Sequence, residues 1–350
     1  MPRVEYEDII SGTGCLNKDI FNKESDKTGI VFHKGDVLYG KLRPYLQNWL
    51  LPLFDGLAVG DFWILQPQNA DSSFLYRLIQ SRKFDEVANQ STGTKMPRAD
   101  WKLVSKTAFF IPSTIEEQTV IGTYFEKLDH LITLHQRKFE KLTNVKKSML
   151  EKMFPQNGSS YPEIRFKGFT DPWEQRKLED YLTVSTEKNT GNIYGRSDVL
   201  SVSGDYGIVN QIEFQGRSFA GASVLNYGVV QTGDVVYTKS PLNSNPYGII
   251  KTNKGKPGIV STLYAVYHPK ENTFSDFIQV YFEQHARMNN YMHPLVNKGA
   301  KNDMKVSAEN ALKGPVCFPS RVEQESISAF FSVLDNLITL HQRKPFLMKW

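Results

Sequence analysis

Apolar residues recur at alternating steps of three and four positions along the stretch that follows Pro112. The run begins with Phe125, Leu128, Ile132 and His135 and goes on through Phe139, Leu142 and Met149, with Lys146 interrupting it. Such a seam is typical of a helix that packs against another helix. From residue 116 to 154 the helix would measure roughly 58 Å at about 1.5 Å per residue, which favours a partner helix over packing on its own domain alone.

The segments outside this helix alternate between apolar and polar residues. Residues 29–42, 228–239 and 258–268 show the period of two that predicts half-buried strands. Phe74–Gln90 and Phe274–Met292 show helical spacing. The pattern predicts an α+β fold with antiparallel or mixed strands.

An internal repeat organises the chain. The octapeptide LITLHQRK occurs at Leu131–Lys138 and at Leu337–Lys344, 206 residues later. Glu117-Gln118 matches Glu323-Gln324 at the same offset, and HKGDVLYGK from residue 33 matches QTGDVVYTK from residue 231. This period is too long for a solenoid, so it indicates a duplicated domain with a trailing helix.

The second copy of the helix supplies the partner seam, at Phe331, Leu334, Ile338 and His341. We interpret His135 and His341 as a polar layer that fixes helix register, in preference to a metal or pH role. Pro345 predicts that the second helix ends near Lys344. The distal seam of the first helix, at Leu142, Val145 and Met149, would then lack a partner.

These boundaries divide the chain into five predicted parts. We expect the first domain to be N-terminally shortened relative to the second, because 34 residues separate Met1 from Gly35 whereas 60 separate Trp173 from Gly233. Residues 155–172, rich in Pro, Gly and Ser, read as a linker. The parts are a first domain at 1–113, a long helix at 114–154, the linker at 155–172, a second domain at 173–320 and a shorter helix at 321–350.

Composition narrows the class of protein only slightly. The net charge of +5 permits a nucleic-acid partner without requiring one. Cys15 and Cys317 have no histidines at metal-ligand spacing, so we expect neither a metal nor a disulfide. The N-terminus is no signal peptide and no apolar run reaches the length of a membrane span, which indicates a cytoplasmic protein.

Motif searches give little support for a catalytic site in this sequence. A DNA amino-methyltransferase is the natural rival, but Asn245-Pro246-Tyr247 has one proline fewer than the amine-binding motif, and no convincing glycine-rich cofactor loop accompanies it. No phosphate-binding loop occurs, and Asp36 and Asp234 read as turn residues rather than metal ligands. We expect no catalytic residue, no cofactor and no metal.

Binding chemistry remains, in two loops that recur in both copies. Basic side chains can neutralise phosphate or read guanine, and asparagine can pair with adenine. One loop follows the GDV strand and the other surrounds a glycine, which lets the backbone approach a phosphate closely. The candidate DNA-binding residues are Lys41, Arg43, Tyr45, Thr94, Lys95, Arg98, Lys239, Ser240, Asn243, Asn245, Lys298, Lys301 and Asn302.

The repeated motifs closely resemble the specificity subunits of type I restriction-modification systems. The resemblance lies in Pro-x-x-x-Glu-x-Gln followed by Ile, Phe and Leu-Asp on the helix, in WEQRKL at Trp173–Leu178 and in KSMLEKMFP at Lys147–Pro155. It covers nearly the whole chain in order.

The resemblance implies a non-catalytic subunit in which two target-recognition domains each read half of a split sequence in double-stranded DNA. The two helices would pack as an antiparallel coiled coil and set the spacing of the halves. Methyltransferase subunits that methylate adenine would dock on this scaffold, and an endonuclease/translocase subunit would join them. Two alternatives stay open: an adenine methyltransferase, and a degenerate regulatory scaffold of the same family.

We predict that the isolated chain does not bind S-adenosylmethionine, because its sequence has neither a convincing cofactor loop nor a complete amine-binding motif. Titration calorimetry measures this directly. Binding at micromolar concentration would favour the methyltransferase instead.

Overall fold

The chain folds into two compact units, residues 1–135 and residues 136–347. This computed structural model describes residues 1–22, 26–90, 96–221, 223–239, 245–296 and 306–347. The border between the units falls inside one long helix, so each unit holds part of that helix.

Unit 1 contains short strands followed by helices. Its strands are β1 (Arg3–Glu5), β2 (Ile9–Ile10), β3 (Cys15–Leu16), β4 (Ile30–Phe32), β5 (Val37–Gly40), β6 (Trp49–Leu50), β7 (Gly56–Val59) and β8 (Phe62–Leu65). Its helices are α1 (Ser72–Leu78), α2 (Arg82–Ala88), α3 (Trp101–Val104) and the first part of α4 (Ile115–Lys152).

Unit 2 repeats this order with additional elements. Its strands are β9 (Glu174–Lys177), β10 (Leu182–Val184), β11 (Leu200–Ser203), β12 (Gly207–Asn210), β13 (Gly228–Val230), β14 (Val235–Thr238), β15 (Ile250–Thr252), β16 (Gly258–Val260), β17 (Tyr264–Pro269) and β18 (Pro315–Phe318). Its helices are α5 (Gln211–Gln215), α6 (Ser275–Glu283), α7 (His285–Met292) and α8 (Arg321–Leu347), besides the end of α4.

A central buried strand joins two packed layers in each unit. Strand β5 lies between β6 and β8, and β14 lies between β15 and β17. Tyr39 and Tyr237 point to the helical side of their sheets, whereas Leu38 and Val236 point to a second sheet, β4–β7 or β13–β16. The repeated GDV sequence therefore precedes a strand that is buried on both faces, and the predicted α+β class is confirmed.

In unit 2 the end of α4 runs antiparallel to α8. Lys146 Nζ lies 2.5 Å from Asp335 Oδ1, and the rings of Phe154 and Phe331 lie 6.2 Å apart. Phe331 and Leu334 are buried, as is His341, and Ile338 is partly buried. These residues of the second copy thus occupy the inner side of α8.

The seam residues of the first copy lie in unit 1 and are less buried. Leu128, Ile132 and His135 are half-buried, and Phe125 is 44% exposed. The assignment of these residues to a helix–helix seam stays a prediction.

Residues 155–172 pack on unit 2. The N–H of Ile164 donates to the carbonyl of Lys152 and so caps the end of α4, at 2.9 Å. Arg165 forms a two-point ion pair with the buried Glu323, at 2.7 and 2.8 Å. We call residues 155–172 the strap. Their composition is that of a linker, but these contacts hold them in one ordered position on unit 2.

Three sequence expectations about helices are wrong. Phe74–Gln90 forms two helices, because the side chain of Ser81 caps a new start by accepting from the N–H of Phe84. Phe274–Met292 is likewise divided at Gln284, whose backbone is extended. The second long helix continues through Pro345 to Leu347, since a proline removes only one N–H from the ladder.

The distal part of α4 also has a partner, contrary to the expectation. Met149 and Leu150 pack in the core of unit 2 together with Ile327 and Phe331 of α8. The rest of unit 2 adds Phe277 of α6 to the same cluster.

A buried glutamine occupies the same position in both units. Gln118 accepts a hydrogen bond from the N–H of Asp71 and donates to the carbonyl of Pro112, both at 3.0 Å. Gln324 accepts from the N–H of Phe274 at 2.9 Å and donates to the carbonyl of Pro319 at 3.0 Å. Each amide therefore ties the long helix to the segment before it and to the start of the helix after the sheet.

We predict that Gln324→Leu lowers the free energy of unfolding of unit 2 by about 2–4 kcal/mol, because it leaves buried N–H and carbonyl groups without partners. Denaturant unfolding followed by fluorescence measures the change. The matched control is Gln136→Leu at an exposed position of α4, expected to stay within about 0.5 kcal/mol of the parent chain. Equal losses from both substitutions would contradict a structural role for the buried amide.

Candidate nucleic-acid interface

The two GDV turns have the same geometry. The Asp36 carboxylate accepts from the N–H of His33 at 2.8 Å, and Asp234 accepts from the N–H of Gln231 at 2.7 Å. The glycine before each aspartate has a positive φ, 91° at Gly35 and 92° at Gly233, a conformation that other residues rarely adopt. Both aspartates are buried turn residues, so each unit begins its central strand, and the loop after it, in the same way.

Two separately predicted clusters meet in unit 1. The N–H of Ala99 donates to the carbonyl of Lys41 at 2.8 Å, and the N–H of Arg43 donates to the carbonyl of Pro97 at 2.7 Å. Leu42 and Arg98 form an antiparallel bridge between these bonds. The loop after β5 and the segment before α3 thus form one surface.

An acidic residue that the sequence analysis did not single out organises this surface. Asp61 Oδ2 lies 3.0 Å from Arg98 Nη2, and Asp61 Oδ1 lies 3.7 Å from Lys41 Nζ. The Tyr6 hydroxyl donates to the Asp61 carbonyl at 2.6 Å and accepts from the N–H of Leu42 at 2.8 Å. Asp61 holds the two cations in place and offsets part of their charge.

Arg43 and Tyr45 lie beside these cations. Arg43 has a left-handed backbone with φ of 51°, which begins a short 3-10 turn at residues 44–46. Tyr45, within that turn, is 57% exposed. An exposed ring next to cations can pack on the sugar-phosphate backbone or contact the methyl group of thymine.

In unit 2 the counterpart of Lys41 is held differently. Lys239 Nζ donates to the carbonyl of Thr262 at 2.9 Å. Burial lowers the pKa of Lys239, and the charge of Lys188 lowers it further. Its ammonium group therefore joins the end of β14 to the turn before β17 in this structure.

Asn245 lies in the tight turn that closes the same loop. Its carbonyl accepts from the N–H of Gly248 at 3.0 Å. Gly248 has a φ of 82°, and a Cβ atom there would lie 1.8 Å from the carbonyl oxygen of Thr238. Only glycine fits this position, so Asn245-Pro246-Tyr247 belongs to a structural turn.

The remaining candidates lie outside the described residues. They are Thr94, Lys95, Ser240, Asn243, Lys298, Lys301 and Asn302. Their part in binding stays a prediction.

Unit 2 carries a second exposed surface that the sequence analysis missed. The β11–β12 hairpin and α5 bring the rings of Tyr206 and Phe214 to 5.1 Å, and both residues are exposed. The Arg217 guanidinium lies 4.5 Å from the ring centre of Phe219. Arginine side chains can contact phosphates or the edge of guanine, and exposed rings can pack on sugars or on the methyl group of thymine. These residues have no periodic spacing, so the pattern of the sequence does not single them out.

Within the described ranges, no group of three or more His, Cys, Asp or Glu residues could hold a metal ion. No helix among the described residues is long and apolar enough to cross a membrane.

Sequence comparison finds partial matches to two specificity subunits. The chain is 24% identical over 127 residues to the Escherichia coli type I restriction enzyme EcoDI specificity subunit, covering 35% of this chain and 28% of that one. It is 26% identical over 159 residues to the Methanocaldococcus jannaschii MjaVIII specificity subunit, covering 41% and 37%. The chain thus spans about a third of the length of the curated relatives it matches. No protein-family model matches it.

Structural comparison extends over nearly the whole chain. The S subunit of a type I restriction-modification system from M. genitalium matches 98% of this chain and 84% of its own length, with a TM-score of 0.57 and 11% identity. At that identity the match establishes a common fold. In its fold and over the matched part of its sequence, the chain resembles the specificity subunits of type I restriction enzymes, as its repeated motifs predicted.

Proposed function

We propose that the chain is the DNA-reading specificity subunit of a type I restriction-modification complex, without a catalytic site of its own. Its two target-recognition domains, residues 1–113 and 173–320, would each read one half of a split sequence in double-stranded DNA. Methyltransferase subunits and an endonuclease/translocase subunit would assemble on it in the cytoplasm.

One observation carries the proposal: the same framework supports two different binding loops. The GDV turns and buried glutamines match between the units, whereas the sequences that follow β5 and β14 differ. Lys41 pairs with Asp61, but Lys239 donates to the carbonyl of Thr262. A shared framework with divergent loops suits a target whose two halves differ.

The rival methyltransferase has less support. Asn245-Pro246-Tyr247 lies in the turn that Gly248 closes, and it lacks the second proline of the amine-binding motif. The degenerate scaffold remains the second candidate, because this chain matches only about a third of the length of its curated relatives.

Copurification with methyltransferase subunits, followed by mapping of methylated adenines in genomic DNA, tests the proposal. We predict a two-part methylated sequence. Tyr45→Ala in unit 1 should lower the discrimination between bases in one half of the DNA sequence by about 1–3 kcal/mol. Arg217→Ala in unit 2 should lower the discrimination in the other half. The control is Lys313→Ala, because Lys313 is exposed and lies far along the chain from Tyr45 and Arg217. This change should leave the methylated DNA sequence unchanged. Methyltransferase binding without any methylated sequence would favour the regulatory scaffold.

We further predict that Asp61→Asn tightens binding to a DNA duplex several-fold at low salt, because it leaves Lys41 and Arg98 free to meet phosphates. The slope of log affinity against log salt should steepen by up to about two. Fluorescence anisotropy between about 50 and 200 mM salt measures both quantities. Asp55→Asn removes the same charge at an exposed site of unit 1 near His33, away from Lys41 and Arg98 in sequence. Equal effects of the two substitutions would mean that net charge alone acts, and weaker binding by Asp61→Asn would mean that Asp61 is needed to position the cations.

A further inference from the structure

Unit 1 has an exposed tryptophan beside the surface that Asp61 organises. Trp101 begins α3, and its side chain is 50% exposed. Its ring centre lies 5.1 Å from that of Trp63, and the ring of Trp63 stacks on that of Tyr39 at 5.6 Å. Tyr39 is buried in the central strand β5. A row of three aromatic rings therefore leads from the core of unit 1 to its surface, where Trp101 is the outermost.

The sheet register places this row of rings next to the cations described above. Tyr39 lies opposite Trp63 in the pairing of β5 with β8. The N–H of Lys41 donates to the carbonyl of Asp61 at 2.9 Å, so Lys41 and Asp61 extend the same ladder. Residues two apart along a strand point to the same face. The Lys41–Asp61 ion pair, which Arg98 joins, thus lies on the face that carries Trp63 and Trp101.

The short helix that carries Trp101 is fixed at both ends. The Asp100 carboxylate accepts from the N–H of Lys102 at 2.9 Å and so caps its start. At its end Val104 is buried in the core on the helical side of the sheet. A side chain that is already held in this way loses little conformational entropy when it makes a contact.

The charges around the indole favour a polyanionic partner. Lys102 and Lys106 are exposed, and neither forms an ion pair within the part of the chain that the structure describes. Cations beside an exposed ring suit a partner that combines anionic and apolar groups. Duplex DNA has both, in its phosphates and in the methyl groups of thymine.

The repeat places a small residue at the same position of unit 2. Trp101 lies eleven residues before Pro112, and Ala308 lies eleven residues before Pro319. Val104 and Ala311 also correspond in this alignment, and both are buried. Contacts to phosphates and sugars carry no sequence information, so nothing requires them to differ between the two units. A tryptophan in one unit and an alanine in the other favour a contact that reads a base.

We propose that Trp101 is a specificity-determining residue of unit 1. Its indole packs on the methyl group of a thymine in the half of the DNA sequence that this unit reads, and Lys102 contacts a phosphate beside it. The thymine methyl is the apolar group that the bases present in the major groove. This inference rests on the proposed function and adds a residue to it.

The test uses the full chain and a duplex with the two-part sequence found by methylation mapping. Each thymine in turn is replaced by deoxyuridine, which removes only the methyl group. A half with a methylated adenine contains at least the thymine paired with it. One replacement should weaken binding of the parent chain about fourfold and should not affect the Trp101→Ala chain. If no thymine in either half shows this coupling, the proposal is overturned.

The salt dependence separates the apolar contact from a phosphate contact. Trp101→Ala should weaken binding to the unmodified duplex about tenfold without changing the slope of log affinity against log salt, because an apolar contact releases no counterions. Lys102→Ala should instead make that slope shallower by about one. If Trp101→Ala changes the slope as much as Lys102→Ala does, the loss comes from displaced cations and the proposal is overturned.

Two further variants separate contact with DNA from a purely structural role. Trp101→Phe keeps an aromatic ring and should keep the coupling to the thymine methyl group. The matched control is Phe21→Ala, because Phe21 is 64% exposed and its ring packs on Phe54, on the opposite side of the central sheet. This change should leave the affinity and the coupling unchanged. Equal losses of affinity from Phe21→Ala and Trp101→Ala overturn the assignment.

Methylation mapping distinguishes a failure of this inference from a failure of the proposed function. Trp101→Ala should lower the discrimination in the same half of the DNA sequence as Tyr45→Ala and leave the other half unchanged. A two-part sequence that Trp101→Ala does not alter overturns the role of Trp101 alone. If the parent chain directs no methylated sequence, both the proposed function and this inference are overturned.

Discussion

The packing within each unit depends on the hydrogen bonds of one buried glutamine near the start of its long helix. Its side-chain amide is both donor and acceptor, so Gln118 and Gln324 each satisfy a helix N–H and a carbonyl of the preceding segment. Gln324 also donates to the carbonyl of Asn272 at 3.2 Å. A carboxylate could not donate to these carbonyls, and an apolar side chain would leave every one of these groups unpaired in the interior. The amide thereby fixes the start of the long helix to the segment before it and to the start of the helix that follows the sheet.

Buried charge then fixes the end of α4 within unit 2. Lys146 interrupts the apolar spacing and pairs with Glu283 at 2.6 Å as well as with Asp335. Burial opposes its charge, but the two carboxylates outweigh burial and raise the pKa of Lys146. Arg287 donates to the carbonyl of Leu150 and lies 4.4 Å from the ring centre of Phe154. Burial lowers the pKa of Arg287 to about 10, which leaves it charged at neutral pH. Removal of Lys146 would leave two partly buried carboxylates unpaired, and removal of Arg287 would leave the Leu150 carbonyl without that donor.

This rigidity bears on binding because the candidate contacts lie on loops. Arg98 and Lys41 are held by one carboxylate, and the Arg43 loop is held by backbone hydrogen bonds to residues 97–99. Loops held in this way present side chains without a large loss of conformational entropy on binding. The two units share the framework and differ in the sequences that follow β5 and β14. Under the proposed function, each unit could therefore change its target without disturbing the buried contacts.

The sequence by itself determined the duplication, the α+β class, the long helices and the loops after the GDV turns. These features depend on local spacing and on a repeat that a single chain displays, as at Leu131–Lys138 and Leu337–Lys344. The tertiary structure alone decided which residues meet. The position of Asp61 between Lys41 and Arg98, the pairing of Arg165 with Glu323, and the exposure of Phe125 where its counterpart Phe331 is buried are all set by contacts between distant segments. Such contacts carry no periodic signal. For the same reason the strap at 155–172 reads as a linker, since its composition is that of a loop while its order comes from the surface on which it packs.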